Sequence, residues 1–237
     1  MQAAASKLYG CSTSVNAKAI ASISPLKLKG LSKQLSEVSG AGGRVVLSYE
    51  GWINDSEIFN KSRILSKSKV KSEVICYIRP PVEWINSAWW QWGAWAEVPF
   101  QYWINGTLRY ACWYDRVMAW NEVDGVEKVT VHLLPKDIVS DFCQILGIPP
   151  IQTSRSNAGL PASVLRLYQK SKQLRSGPHN SAIDFMLAHY LKESGDPALW
   201  VLGPKLIDKM IFRTRESNLK LLEMLRKEPR VEMEHDA

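Results

Sequence analysis

The stretch Val74-Ile-Cys-Tyr-Ile-Arg79-Pro-Pro-Val-Glu-Trp-Ile-Asn-Ser87 decides how this chain is read. Val74 to Ile78 is a short apolar run, the pattern of a buried strand. Pro80 biases Arg79 toward extended backbone. Pro81 suits the first position of a helix. Arg79 is therefore expected at the carboxyl end of a strand, where open α/β sheets bind ligands. Ser87 follows about two helical turns later. A guanidinium and a hydroxyl beside a helix N-terminus suit a phosphate monoester. Taken alone, the pair is more simply an arginine capping a sheet edge and a serine on a helix surface.

Outward from this stretch the elements follow in order. Residues 1–43 are rich in Ala, Ser, Lys and Gly, with a weak helix from about Leu26 to Val38. Ser39-Gly-Ala-Gly-Gly43 breaks the chain. Val45, Val46 and Leu47 make Arg44 to Tyr49 a strand, and a short helix is predicted from Ser56 to Ser66, capped by Asp55 or Ser56. The strand Val74 to Ile78 leads into an aromatic helix from Pro81 to about Ala96. Asn105-Gly106 reads as a turn, Leu108 to Asn121 as a helix, Asp124-Gly125 as a break and Lys128 to Leu134 as a strand. Asp137 caps a helix that ends at Gly147. This β-α-β-α-α-β-α order implies a parallel sheet with helical crossovers. Beyond Ile151 the pattern is helical: Ala162 to Lys172, Ser181 to Lys192 and Lys205 to Lys227, with a charged tail after Pro229. The expected organisation is a poorly defined segment 1–43 and one α/β domain over 44–237, helical from about 151.

The 237 residues, 46% of them hydrophobic, suffice for a sizeable core. The formal net charge of +7 favours anionic partners: nucleotides, sulfated glycans, nucleic acid or an acidic membrane surface. The basic run Lys61, Arg63, Lys67, Lys69 and Lys71 reads first as a solvated face. The aromatics gather on apolar helical faces and no nucleic-acid module motif is present, which turns the reading away from nucleic acid. Cys11, Cys76, Cys112 and Cys143 form no CxxC pair, which points to a reducing compartment and away from zinc. His132, His179, His189 and His235 are scattered, so no metal is expected. No apolar run approaches the roughly eighteen residues that span a bilayer. No signal peptide is read at the N-terminus, so a cytoplasmic location is the default.

The Arg79–Ser87 pair, with the order of elements around it, resembles the sulfotransferases that use 3′-phosphoadenosine 5′-phosphosulfate (PAPS). The resemblance covers about residues 44–160. Val45-Val-Leu-Ser-Tyr-Glu50 looks like the strand preceding the family's arginine motif. Trp120-Asn-Glu-Val-Asp-Gly125 and Val129-Thr-Val-His-Leu133 look like its helix, glycine turn and strand. Asp141-Phe142, Leu146-Gly147-Ile148 and Asn157 are similar to bacterial, carbohydrate-type members. The resemblance implies a P-loop-NTPase-like parallel sheet flanked by helices, and a 3′-phosphate held by Arg79 and Ser87. The family's opening strand and Lys-x-Gly-Thr-Thr loop, which hold the 5′-phosphosulfate, have no good counterpart. Gly10-Cys-Ser-Thr-Ser14 follows only nine residues, and Gly40-Ala-Gly-Gly43 precedes a strand where it should follow one. The sheet is thus expected to lack its first strand, and the chain to be an N-terminally truncated member.

Sulfuryl transfer needs a base for the acceptor hydroxyl. Glu50, at the end of a predicted strand, is the first candidate, against a plain surface carboxylate. His132 lies in an apolar strand and reads as a core histidine. His179 and His189 have no motif support. Trp84, Trp89, Trp92 and Trp95 share one helical arc with Ile85, Ala88 and Ala96 and read as core. Trp90, three residues after Ser87, could stack on adenine or a sugar, with burial under the C-terminal helices as the equal alternative. Trp103, Trp113 and Trp120 read as packing residues, and Arg155 and Arg166 as surface arginines. The expected function is transfer of a sulfuryl group from PAPS to a hydroxyl of a carbohydrate or other small acceptor, if the phosphate loop is supplied. The alternative is a truncated or degenerate homologue that binds a nucleotide or glycan without catalysis.

Overall fold

The structure is a computed structural model that describes residues 24–40, 44–151, 159–175, 177, 180–191 and 199–227. Among these residues the fold is α/β and mostly helical, with one parallel sheet of two strands. The chain divides into two compact units. The first comprises residues 1–78, 113–132 and 219–237, and the second residues 79–112 and 133–218.

The first unit holds helices α1 (Pro25–Gly40), α2 (Ser56–Ser62) and α3 (Ile64–Ser68), and strand β1 (Ser72–Ile78). Strand β2 (Val126–Leu133) pairs with β1. Cys76 and Ile78 of β1 are buried, as are the consecutive residues Val129, Thr130 and Val131 of β2. Three buried residues in a row mean that both faces of β2 are covered there, the usual condition of a parallel strand. The turn entering β2 is fixed by Asn60, whose Nδ2 donates to the Glu122 carbonyl (3.2 Å) while its Oδ1 accepts from the Asp124 N–H (3.1 Å). Gly125 has φ +92°, and a Cβ there would lie 2.6 Å from the Ser66 nitrogen, so only glycine fits. Phe59 packs between the rings of Trp52 and Trp120, at centroid distances of 5.1 and 4.9 Å. The Ser36 hydroxyl donates to the Ser68 carbonyl and ties α1 to the end of α3.

The second unit holds α4 (Pro81–Gln91) and α5 (Phe100–Thr107). Its core gathers Ile85, Ile104, Leu108, Ala111, Leu202 and Met210. Two side chains of α4 seize the extended segment 199–201. Asn86 Nδ2 and Trp90 Nε1 both donate to the Leu199 carbonyl, at 3.2 and 2.8 Å, and Asn86 Oδ1 accepts from the Val201 N–H at 3.0 Å. Gly93 lets the indoles of Trp89 and Trp103 close in, since a Cβ would sit 2.3 and 2.7 Å from them. α7 (Ile138–Leu146), α8 (Ala162–Lys170) and α9 (Asp184–Leu191) also belong to this unit; α6 (Trp113–Asn121) belongs to the first, and the residues of α10 (Pro204–Lys227) are assigned to the second unit up to 218 and to the first from 219.

Several expectations hold. Asp137 caps α7 by accepting from the Val139 and Ser140 N–H groups, and the helix closes at Gly147 with φ +66°. The strands at 74–78 and 128–134 and the long last helix are present with small shifts of boundary.

Others are corrected. Residues 44–49 form no strand: Val46, Leu47 and Tyr49 are 49, 44 and 48% exposed. Three apolar residues cannot hold a strand that has no partner to satisfy its backbone. Asn105-Gly106 lies inside α5, because burial of Ile104 and Leu108 on either side outweighs the local turn preference. The aromatic helix stops at Gln91 and gives way to a 3-10 turn, Gly93–Trp95. The predicted helix 56–66 is two short ones, broken at Arg63, which takes φ 54°.

Candidate anion site at the start of α4

β1 ends at Ile78, Arg79 and Pro80 link strand to helix, and Pro81 opens α4. Pro80 has φ −49° and ψ 135°, and its carbonyl accepts the first helical bond from the Trp84 N–H at 2.9 Å. Proline at the first helical position carries no N–H, so the amides of Val82 and Glu83 are the first-turn donors without intrahelical acceptors. Arg79 Nη1 donates to Ser87 Oγ at 3.4 Å, across eight residues. The sequence placed Arg79 just ahead of the helix and Ser87 about two turns into it, and the structure brings their side chains into contact. Arg79 is exposed and Ser87 half-buried, so the pair is open to solvent.

The chemistry available is anion binding. A guanidinium stays charged throughout the working pH range and offers forked donors that match phosphate oxygens. The Ser87 hydroxyl adds a donor that rotates to suit, and the helix N-terminus adds partial positive charge. Glu83 opposes this. It is an exposed carboxylate in the first turn of α4, one turn ahead of Ser87.

The other candidate residues are placed as follows. Trp90 is 9% exposed, and its N–H is committed to Leu199, so the ring serves packing. Glu50 opens a 3-10 turn, Glu50–Asn54, in the first unit. The strand expected to end at Glu50 is absent, which removes the argument from strand-end position. His132 stands in β2 with its ring 5.5 Å from that of Tyr77. His189 is exposed on α9 beside Tyr190, and Arg166 is exposed on α8. Arg155, Asn157, His179 and Gly10-Cys-Ser-Thr-Ser14 lie outside the described residues. Among the described residues no group of three or more His, Cys, Asp or Glu side chains could hold a metal. Burial pushes the Cys76 thiol up to about 11, which leaves little thiolate at neutral pH.

The sequence reading missed one polar cluster. Arg175 Nη1 pairs with Asp184 Oδ2 at 2.8 Å, and the Tyr168 hydroxyl donates to Asp184 Oδ1 at 2.6 Å. The Arg175 guanidinium lies 4.8 Å from the Trp95 ring centroid. Arg175 is 8% exposed and Tyr168 fully buried. Asp184 begins α9, so the cluster ties the start of that helix to α8 and to the turn after it. No periodic signal links positions 95, 168, 175 and 184.

No family model, curated protein or solved structure matches the chain.

Proposed function

We propose that this protein binds PAPS through its 3′-phosphate, held by Arg79 and Ser87, and belongs to the sulfotransferase type. The bond from Arg79 Nη1, just ahead of α4, to Ser87 Oγ in its second turn carries the reading. It draws a fixed cation and a hydroxyl into one small space, as a phosphate monoester requires. In this reading β1 and β2 are part of a P-loop-NTPase-like sheet. The reaction forms a bond from the acceptor oxygen to sulfur and breaks the bond from sulfur to the 5′-phosphate oxygen. The acceptor, a carbohydrate or small alcohol, gives up its hydroxyl proton to a general base. 3′-Phosphoadenosine 5′-phosphate (PAP) leaves with the bridging oxygen. Among the described residues neither strand is followed by a Lys/Gly/Thr loop that would hold the phosphosulfate.

That observation favours a second reading, a homologue that keeps the nucleotide site without transfer. The absent strand before Glu50 points the same way.

Calorimetric titration of the chain with PAP tests the site. PAP is expected to bind, 5′-AMP to bind at least about tenfold more weakly, and Arg79→Ala to remove the preference. Equal affinity for PAP and 5′-AMP, or no binding of PAP by the folded chain, would overturn the assignment. Incubation with PAPS and a panel of glycans separates the two readings. Release of PAP that depends on the acceptor supports transfer, and binding without release supports the non-catalytic homologue.

A further inference from the structure

Helix α9 carries an apolar face that the candidate anion site does not use. Polar bonds tie the helix down at both ends. At its start Asp184 holds Arg175 and Tyr168, and at its end the Leu191 carbonyl accepts from Ser163 Oγ at 2.6 Å. No residue of α9 is fully buried, although most of the helix is Phe, Met, Leu and Tyr. Phe185, Met186 and Tyr190 are 86, 51 and 78% exposed, and His189 is exposed among them. At the pitch of an α-helix these four fall within about 140° of arc, in the order Phe185, His189, Met186, Tyr190. The opposite side carries Asp184, Leu187, Ala188 and Leu191. The exposed sector therefore holds no Asp, Glu, Lys or Arg, and α9 has no Lys or Arg on any side. The helix and the residues that tie it all lie in the second unit.

We propose that this face pairs with the same face of a second copy of the chain, as a weak, reversible dimer. The face is self-complementary. Across a two-fold axis perpendicular to the helix, the two α9 helices run antiparallel and each end of one meets the other end of the second. Phe185 of one copy then faces His189 of the other, and Met186 faces Tyr190. The first is a ring–ring contact and the second a sulfur–ring contact, both favourable. Area sets the strength. Aromatic side chains present roughly 150–250 Å² each, so at these exposures the four side chains offer about 500 Å² per copy. Pairing buries about 1,000 Å² in all, which reaches the lower bound of specific interfaces and falls short of the roughly 1,600 Å² of a stable one. Absence of charge favours this occupant over others. Two uncharged faces meet without stranding an ion, whereas an acidic or basic partner finds no opposite charge in the sector. A helix that lies on lipid sets Lys and Arg beside its apolar side, and α9 has neither.

The test is sedimentation equilibrium of the full chain. A reversible monomer–dimer equilibrium in the micromolar range is expected. Phe185→Ser/Tyr190→Ser should weaken it at least about tenfold, because both rings leave the seam. A pair of charges tests the register. Phe185→Lys alone and His189→Glu alone should each stay monomeric where the parent chain dimerises, since each strands a charge in the seam. An equimolar mixture of these two variants should dimerise, because the two new charges then face each other. All the altered positions are exposed, and unchanged helicity and melting verify that the fold survives. A parent chain that stays monomeric up to about 1 mM would overturn the proposal. So would a dimer that Phe185→Ser/Tyr190→Ser leaves intact, or a mixture of the charged variants that does not associate. Binding of a monomeric parent chain to phosphatidylcholine vesicles, abolished by Phe185→Ser/Tyr190→Ser, would also overturn it and assign the face to lipid.

Discussion

Asn86 shows how much one buried amide can hold. It sits in the middle of α4, next to Ser87, and uses both ends of its side chain on segment 199–201. Asn86→Leu keeps the volume but leaves the half-buried Val201 N–H without its acceptor. The expected loss is about 1–3 kcal/mol of unfolding free energy, read from the urea midpoint. An unchanged midpoint would mean that water replaces the amide. Tyr168 gives a pH dependence of definite sign. Burial chiefly, then the hydrogen bond to Asp184 and that residue's charge, raise its pKa, and Arg175 partly offsets them. Folding therefore favours the neutral phenol. Its contribution is intact below the pKa of an unfolded tyrosine, about 10, and is lost as pH rises above that value. Stability should fall above pH ~10, and Tyr168→Phe should flatten the fall. Parallel slopes for the two proteins would show that Tyr168 does not govern it.

At the level of elements, the sequence disclosed what depends on neighbours along the chain. Pro80-Pro81 set the strand-to-helix junction, and with it the meeting of Arg79 and Ser87. Asp137 and Gly147 bounded α7 by cap chemistry that needs no tertiary partner. What depends on distant partners was not legible. The apolar trio Val45-Val46-Leu47 has β character but forms no strand in the structure. Asn105-Gly106 has turn chemistry but lies between two buried residues that keep it helical. The Arg175–Asp184–Tyr168 cluster joins helix ends across irregular chain, which no periodicity encodes. Gly93 lies within the helix expected to run to about Ala96, and the structure shows why a glycine stands there. Gly93→Ala would force its methyl into Trp89 and Trp103. Overpacking of this kind costs about 1–3 kcal/mol, and the thermal midpoint should fall accordingly. A midpoint at or above that of the parent chain would mean that the two indoles can part freely.

Over the whole molecule, the two units are not consecutive halves. The chain passes from one to the other after residues 78, 112, 132 and 218. Each unit therefore closes on segments far apart in sequence, and such long-range closure slows folding. Both residues of the candidate clamp fall in the second unit, Arg79 being its first residue. The helix that begins there is held from its other side by the Leu199 carbonyl, which takes two donors, and by the single bond from the Val201 N–H. That last bond makes the Val201 amide a natural clock. Its hydrogen can leave for deuterium only when Asn86 lets go, so its exchange rate measures how often α4 lifts from the segment beneath it. Slower deuterium uptake at Val201 on adding PAP would show that the ligand stiffens the buried side of the helix it binds. Unaltered uptake would show that the outer face can hold an anion while the inner face keeps its own time.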